Sequence, residues 1–310
     1  MKKRTFGKTK LEVTPLGFGG AEIGMLDQSQ DEVTKLLNDI LDAGINVIDT
    51  AAMYKTSEEL IGAAIGKRRD EYILISKCGT EVPDISKKAW SADLIRLSVD
   101  RSLKNLRTDH LDVMLLHSCD VEVLRKGAAL DALISARDAG KIRFIGYSGD
   151  NEASAWAAAQ PELDVVQTSI SICDQINAHL ALPVCRENKV GVMAKRPIAN
   201  AAWRELDAQP GMYQDYAKTY TERLRRMGIS PADFGFDGAP DEAWPEMALR
   251  FTLSQPGVHT AIIGTTSRSN VQANLAAAEK EPLAPEIIER LYDAFRRAEE
   301  AEHARWEGQT

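Results

Sequence analysis

Four polar residues stand where short apolar runs stop. V-I-D (47–49) ends on Asp49, I-L-I-S-K (73–77) on Lys77 and V-M-L-L-H (113–117) on His117, while Tyr54 follows Asp49 by five positions. Strands covered on both faces are continuously apolar, so a polar residue at such an end sits at the rim of a core. Neighbouring strands lie ~4.8 Å apart, so three successive ends span roughly 10 Å and their side chains can converge. The types define a chemistry. A free tyrosine titrates near ~10, and an ammonium beside a phenol favours its phenolate and makes it a better acid. A carboxylate holds that ammonium charged and in place, and a histidine orients a carbonyl oxygen or shares the proton. Such a set protonates a carbonyl oxygen, or deprotonates an alcohol, while a hydride moves. No side chain donates a hydride, so a nicotinamide cofactor is required. Singly, Asp49 reads as a loop cap, Lys77 as a rim lysine and His117 as a satisfied core histidine. Their joint occurrence at three strand ends carries the functional reading.

The elements that must position these groups alternate. After a hairpin over 4–14, buried strands are predicted at 16–20, 47–49, 73–77, 113–117, 142–147, 165–168, 190–194 and 261–263. Helices are predicted at 31–43, 57–65, 92–106, 121–139, 153–159, 175–187, 242–253 and 269–278, from apolar stripes closed by Gly or Pro. Eight strand–helix units form a parallel sheet that closes as an α/β (β/α)8 TIM barrel, read here as one domain over 1–310. Two segments exceed the pattern. Residues 196–241 form an insertion with a helix near 212–227 and with Trp203, Tyr213, Tyr216, Tyr220 and Trp244 in or beside it, which reads as a lid. Residues 286–306 read as a final amphipathic helix capping the barrel. Trp90, on the loop after the third strand, and Trp203 are candidates to line a substrate pocket, or to pack their loops.

Composition narrows the partners. The chain has 310 residues, 44% apolar and 27% charged, with net charge -8 and pI near 5.3. That argues against a nucleic-acid or anionic-membrane partner. No apolar run reaches the ~18 residues of a membrane span, and the charged start M-K-K-R-T-F-G-K has no apolar core, so no signal peptide is expected. Cys78, Cys119, Cys173 and Cys185 show no C-x-x-C pairing and fit reduced thiols of a cytoplasmic enzyme. No metal is expected.

The motifs resemble those of the aldo-keto reductases, nearly end to end. G-I-N-V-I-D-T-A-A-M-Y-K-T-S-E-E-L-I-G (44–62) is similar to that family's first signature, and L-S-V-D-R-S-L-K-N-L-R-T-D-H-L-D-V-M-L-L-H (97–117) to its second. I-I-G-T-T-S-R-S-N-V-Q-A-N-L (262–275) is similar to its cofactor-binding third. The resemblance implies that Asp49, Tyr54, Lys77 and His117 form the catalytic tetrad with Tyr54 as acid/base. It implies the barrel fold, with NADP(H) extended across the strand ends and NAD as the other possibility. Ser148 and Gln167 are implied to hold the nicotinamide carboxamide, and Asn274 the adenine. Thr265, Thr266, Ser267 and Arg268 stand at a helix start, where free N–H groups favour an anion such as the 2′-phosphate, or serve as a plain cap. Lys195 and Arg196 follow the seventh strand, within reach of the pyrophosphate.

Four positions depart from the family pattern. Gly149 stands where asparagine is usual, Ile170 where an aromatic often stacks on the nicotinamide, Lys55 where glycine follows the tyrosine, and Asn270 where a basic residue is frequent. The expected activity is NADPH-dependent reduction of a small-molecule carbonyl, or oxidation of an alcohol. An NADP-binding regulatory or partner-docking protein is the alternative, and a lyase using Lys195 as a Schiff base is another. Cys78 and Cys119 flank the implied catalytic positions, where they pack or undergo oxidation.

Overall fold

In a computed structural model, which describes residues 1–208 and 214–310, the apolar runs close on themselves. The strands are β1 (Arg4–Thr5), β2 (Glu12–Val13), β3 (Leu16–Gly19), β4 (Val47–Asp49), β5 (Ile73–Cys78), β6 (Leu111–His117), β7 (Ile142–Ser148), β8 (Val165–Ser169), β9 (Gly191–Lys195) and β10 (Thr260–Gly264). β1 and β2 pair antiparallel as the expected hairpin, and the other eight form a closed parallel barrel in the order β10-β3-β4-β5-β6-β7-β8-β9. The barrel interior is a packed core of Val47, Ile75, Val113, Leu115, Val165 and Met193. The hairpin plugs its lower end. Phe6 is fully buried there, and Gly7 adopts φ +55 with Gly191 N only 2.4 Å from where a Cβ would stand. Only glycine accepts that approach.

The outer layer follows helix chemistry. α1 (Ala21–Met25) and α2 (Gln30–Asp42) come first; α2 opens on a capping box in which Ser29 and Glu32 satisfy each other's backbone N–H. α3 (Ser57–Ile65) and α4 (Ala92–Leu106) follow, the latter capped by Ser91 and ended by Arg107 in the left-handed region. Their buried residues, Ile61, Ile65, Ile95 and Val99, pack with the outward-facing Ile48, Leu74, Met114 and Leu116 of the strands.

Several predicted elements changed. The helix expected over 121–139 is two, α5 (Val121–Lys126) and α6 (Ala128–Asp138), because Gly127 at φ 78 breaks it. The one expected over 175–187 is α8 (Ile176–Leu180) and α9 (Leu182–Glu187), after α7 (Asn151–Ala158). Pro183 opens α9 and donates no N–H to continue α8. In the insertion, α10 (Gln214–Met227) matches the expected helix, while Tyr213 lies outside the described residues. Tyr220 and Leu224 of α10 join Trp244 and Phe251 of α11 (Pro240–Leu253) and Leu291 of a later helix in a second apolar core. α12 (Arg268–Ala278) and α13 (Pro285–Glu302) complete the set. α13 stops four residues before the expected end, capped by left-handed His303. The chain then turns toward the upper rim, anchored by Trp306, which packs edge-on against Phe295 at 4.8 Å.

At the α3–α4 crossing, a Cβ on Gly62 would stand 2.3 Å from Asn105 O and 2.7 Å from the Leu106 carbonyl carbon. Gly62→Ala is expected to lose about 1–3 kcal/mol of stability by overpacking. A urea titration should show a lower midpoint with an unchanged slope.

Candidate active site

Barrel register brings the polar strand ends together. Asp49 on β4 pairs Ile75, Lys77 on β5 pairs Leu115, His117 on β6 pairs Ser148, and Ser148 on β7 pairs Gln167. The buried Lys77 ammonium donates to Asp49 Oδ1 at 2.9 Å, Asp49 Oδ2 at 2.7 Å and the Thr50 carbonyl at 2.9 Å. It lies 5.1 Å from the centre of the Tyr54 ring, whose edge meets His117 at 5.9 Å and 84°. Burial opposes the Lys77 charge, but the Asp49 carboxylate and the Tyr54 hydroxyl outweigh it and hold the ammonium above its usual range. Burial pushes the Asp49 carboxyl up against the pull of Lys77; with the ammonium on both oxygens, the pair is ionised.

The Tyr54 loop is set by neighbours the sequence did not reveal. Gly24 of α1, a helix that was not anticipated, lets the loop close in: a Cβ there would stand 2.1 Å from Tyr54 O. Ser57 Oγ donates to Gly20 O at 2.7 Å and ties the loop's end to α1. Lys55, where the family has glycine, adopts φ 45, the left-handed backbone for which glycine is the easy choice. Trp90 lies behind the site: its Nε1–H donates to His117 O at 3.3 Å, and Gly79 at φ +108 leaves room for its ring. Burial, then the charges of Lys77, Lys195 and Arg196, keep His117 well below the usual histidine range. It is therefore neutral at pH 7, with one ring nitrogen a donor and the other an acceptor. Its Nδ1 has no partner.

A groove of about 620 Å³ runs from Tyr54 and His117 past Ser148 and Gln167 to Thr265, Thr266 and Ser267. Ser148 Oγ donates to Gln167 Oε1 at 2.9 Å, while the buried Gln167 Nε2 has no hydrogen bond and only leans toward the Asp49 carboxylate. A buried amide donor left without a partner suits an arriving carboxamide oxygen, so these residues fit a nicotinamide. Gly149 has a local cause. The Tyr147 hydroxyl reaches Cys119 O at 2.7 Å, and a Cβ at 149 would stand 2.0 Å from it, so no asparagine fits. Ile170 is fully buried in the outer core and does not line the groove.

Other expected residues are placed differently. Trp203 stacks on Trp244 at 6.0 Å and donates to Asp241 at 3.1 Å, packing its own loop, and neither it nor Trp90 lines the groove. Asn274 is buried within α12. Arg268 turns outward and ion-pairs with Asp39 of α2. Lys195 lines the groove with its ammonium 2.8 Å from Asp150, a residue the sequence reading passed over. Asp150 is fully buried and accepts from Thr168 Oγ1 at 2.9 Å, Ser169 N at 2.6 Å and Asn177 Nδ2 at 3.0 Å. A strap after α13 was also missed. Gly308 exchanges two hydrogen bonds with the Asn151 amide, Gln309 N donates to Asp174, and the Gln309 carbonyl accepts from Arg196. Its only sequence signal was Gly308 after Trp306, beyond the amphipathic pattern. Burial and the nearby Asp150 push the Asp174 carboxyl up to about 7. All four cysteines are free and buried, and burial raises the Cys119 thiol to about 12, so they pack. Among the described residues, no cluster could hold a metal and no helix is long and apolar enough to cross a membrane.

Comparison with known proteins agrees with this geometry. The sequence pattern of the Aldo/keto reductase family matches residues 15–295. The uncharacterized oxidoreductase YqkF of Bacillus subtilis is 28% identical over 303 residues, covering 94% of this chain and 95% of the relative. The NADH-specific methylglyoxal reductase of Escherichia coli is 30% identical over 307 residues, covering 89% and 93%. The holo form of the aldo-keto reductase AKR11C1 from Bacillus halodurans superposes with a TM-score of 0.79 at 25% identity, covering 95% and 96%.

Because His117 stays neutral when folded, the unfolded chain binds a proton that the native state refuses as pH falls below about 6.5. Stability is therefore lost with falling pH. From pH 6.5 to 5.5, the wild-type chain should lose about 1 kcal/mol more than His117→Gln in parallel urea titrations. His259, lowered to about 4, adds the same slope to both and cancels in the difference.

Proposed function

The chain belongs to the aldo/keto reductase family, and we propose that it is a nicotinamide-dependent carbonyl reductase, reversibly an alcohol dehydrogenase, with Tyr54 as its general acid. The bound nicotinamide would supply or accept the hydride. Ser148 and Gln167 would hold its carboxamide through the donor now unsatisfied on Gln167. Tyr54 gives its hydroxyl proton to the carbonyl oxygen. The Lys77 ammonium, fixed by Asp49 at 2.7 Å, stabilises the phenolate left behind. Neutral His117 donates one hydrogen bond to the same oxygen and sets its angle to Tyr54. The observation that carries this reading is the buried Lys77–Asp49 pair beside Tyr54 at the mouth of the groove.

Small aldehydes and ketones are the substrate class this reading favours, in keeping with the name of the methylglyoxal-reducing relative. The Schiff-base reading loses ground, because the Lys195 ammonium is tied to a carboxylate that four protein donors already fix. Reduced, buried thiols suit cytoplasmic residence, and residues 1–310 are read as one domain.

Tyr54→Phe is expected to lose at least ~100-fold in turnover on an aldehyde panel, the low end for a positioned general acid. Its nucleotide affinity should stay within twofold of wild type, about the size of a change that removes no binding contact. Turnover near wild type in that variant would sink the mechanism. Tight nucleotide binding with no hydride transfer to any aldehyde would favour a regulatory NADP-binding role instead.

A further inference from the structure

NADH and NADPH differ by a 2′-phosphate carrying nearly two negative charges, and a site that takes it needs a cation at hand. The segment from Thr265 to Asn270 has one, Arg268. Its guanidinium is ion-paired with Asp39 and lines a second cavity of about 430 Å³ between α2 and α12, where Asp42 also stands. What the segment leaves in the groove is neutral, and part of it is internally satisfied. Thr265 Oγ1 accepts from Ser267 N at 3.0 Å and Asn270 Nδ2 at 3.3 Å, and the Ser267 and Ser269 hydroxyls bond each other at 2.8 Å. The cations elsewhere along the groove are engaged as well. Lys195 is on Asp150 at 2.8 Å, Arg204 on Asp241 at 2.8 Å, and Arg196 on the Gln309 carbonyl and, at 3.0 Å, the Ser169 hydroxyl. One more carboxylate lines the groove: Glu22 Oε1 lies 3.6 Å from where a Cβ of residue 264 would be. A phosphate entering here meets no cation of the segment itself, because Arg268 is turned to Asp39, and along the groove it meets cations already bound.

We propose that this chain takes NADH in preference to NADPH, and that Asp39 is a specificity-determining residue that keeps Arg268 out of the groove. The inference rests on the nicotinamide-dependent reading above. Arg268 is 68% exposed, so its ion pair with Asp39 contributes little to the fold and can be removed without unfolding the chain. The effect on affinity is correspondingly modest.

Binding to the full chain, followed by the fluorescence of each reduced nucleotide without any carbonyl present, tests this apart from turnover. NADH is expected to bind at least about tenfold tighter than NADPH. Asp39→Asn should tighten NADPH about three- to tenfold and leave NADH within about twofold, and adding Arg268→Ala should abolish that gain. NADPH binding as tightly as NADH, or weakening about tenfold in Arg268→Ala alone, would overturn the preference. An unchanged NADPH affinity in Asp39→Asn would overturn the role of Asp39. Failure of both nucleotides to bind would instead remove the nicotinamide reading itself.

Discussion

A buried ammonium sharing both oxygens of a buried carboxylate is the constraint around which this barrel mouth is built. Taking Lys77 and Asp49 out of water is costly, and the cost is met only because geometry and further hydrogen bonds satisfy both groups. Lys77 spends its donors on Asp49 and on the Thr50 carbonyl, which fixes the start of the loop that carries Tyr54. The ion pair therefore does two jobs at once. It pins the loop, and it places a fixed positive charge beside the Tyr54 ring. His117 completes the arrangement by staying neutral, because burial, and after it the neighbouring cations, disfavour an imidazolium.

A second ion pair, Lys195 with Asp150, stands on the opposite wall, and its logic is structural in a different way. Asp150 gathers donors from β8 and from Asn177, and Gly308 of the strap lies against it, 2.9 Å from the Asp150 Cβ to where a glycine Cβ would be. The wall is thus assembled from β8, α8 and β9, which follow closely in the chain, and from the distant segment after α13. Tyr147 shows how such assembly alters chemistry: by reaching Cys119 it leaves no space for a side chain at residue 149, so the polar groups at that end of the groove are those of Ser148 and Gln167. Charge is partitioned in the same manner along the whole groove, each cation being matched by a carboxylate or carbonyl from a different element.

Much of this was legible in the sequence. Apolar runs ending in Asp49, Lys77 and His117 reported the barrel and its rim, because strands buried on two faces have no other place for a charge. The alternation of strands and helical stripes gave the topology, since parallel strands must be linked by crossovers. Helix breaks at Gly127 and Pro183 were written in the residues too, but they fall inside otherwise continuous stripes and were overridden by periodicity.

What only the tertiary structure decided are the pairings. That Arg268 faces Asp39 and not the groove, that Trp90 supports His117 from behind, and that Trp203 stacks on Trp244 all depend on side-chain direction and on partners far away in the chain. Local propensity and periodicity carry no information about either. The sequence by itself determined which chemical groups exist and on which strand ends they stand; closure of the barrel determined which of them meet, because a contact between residues dozens of positions apart is fixed by packing and register and by nothing local.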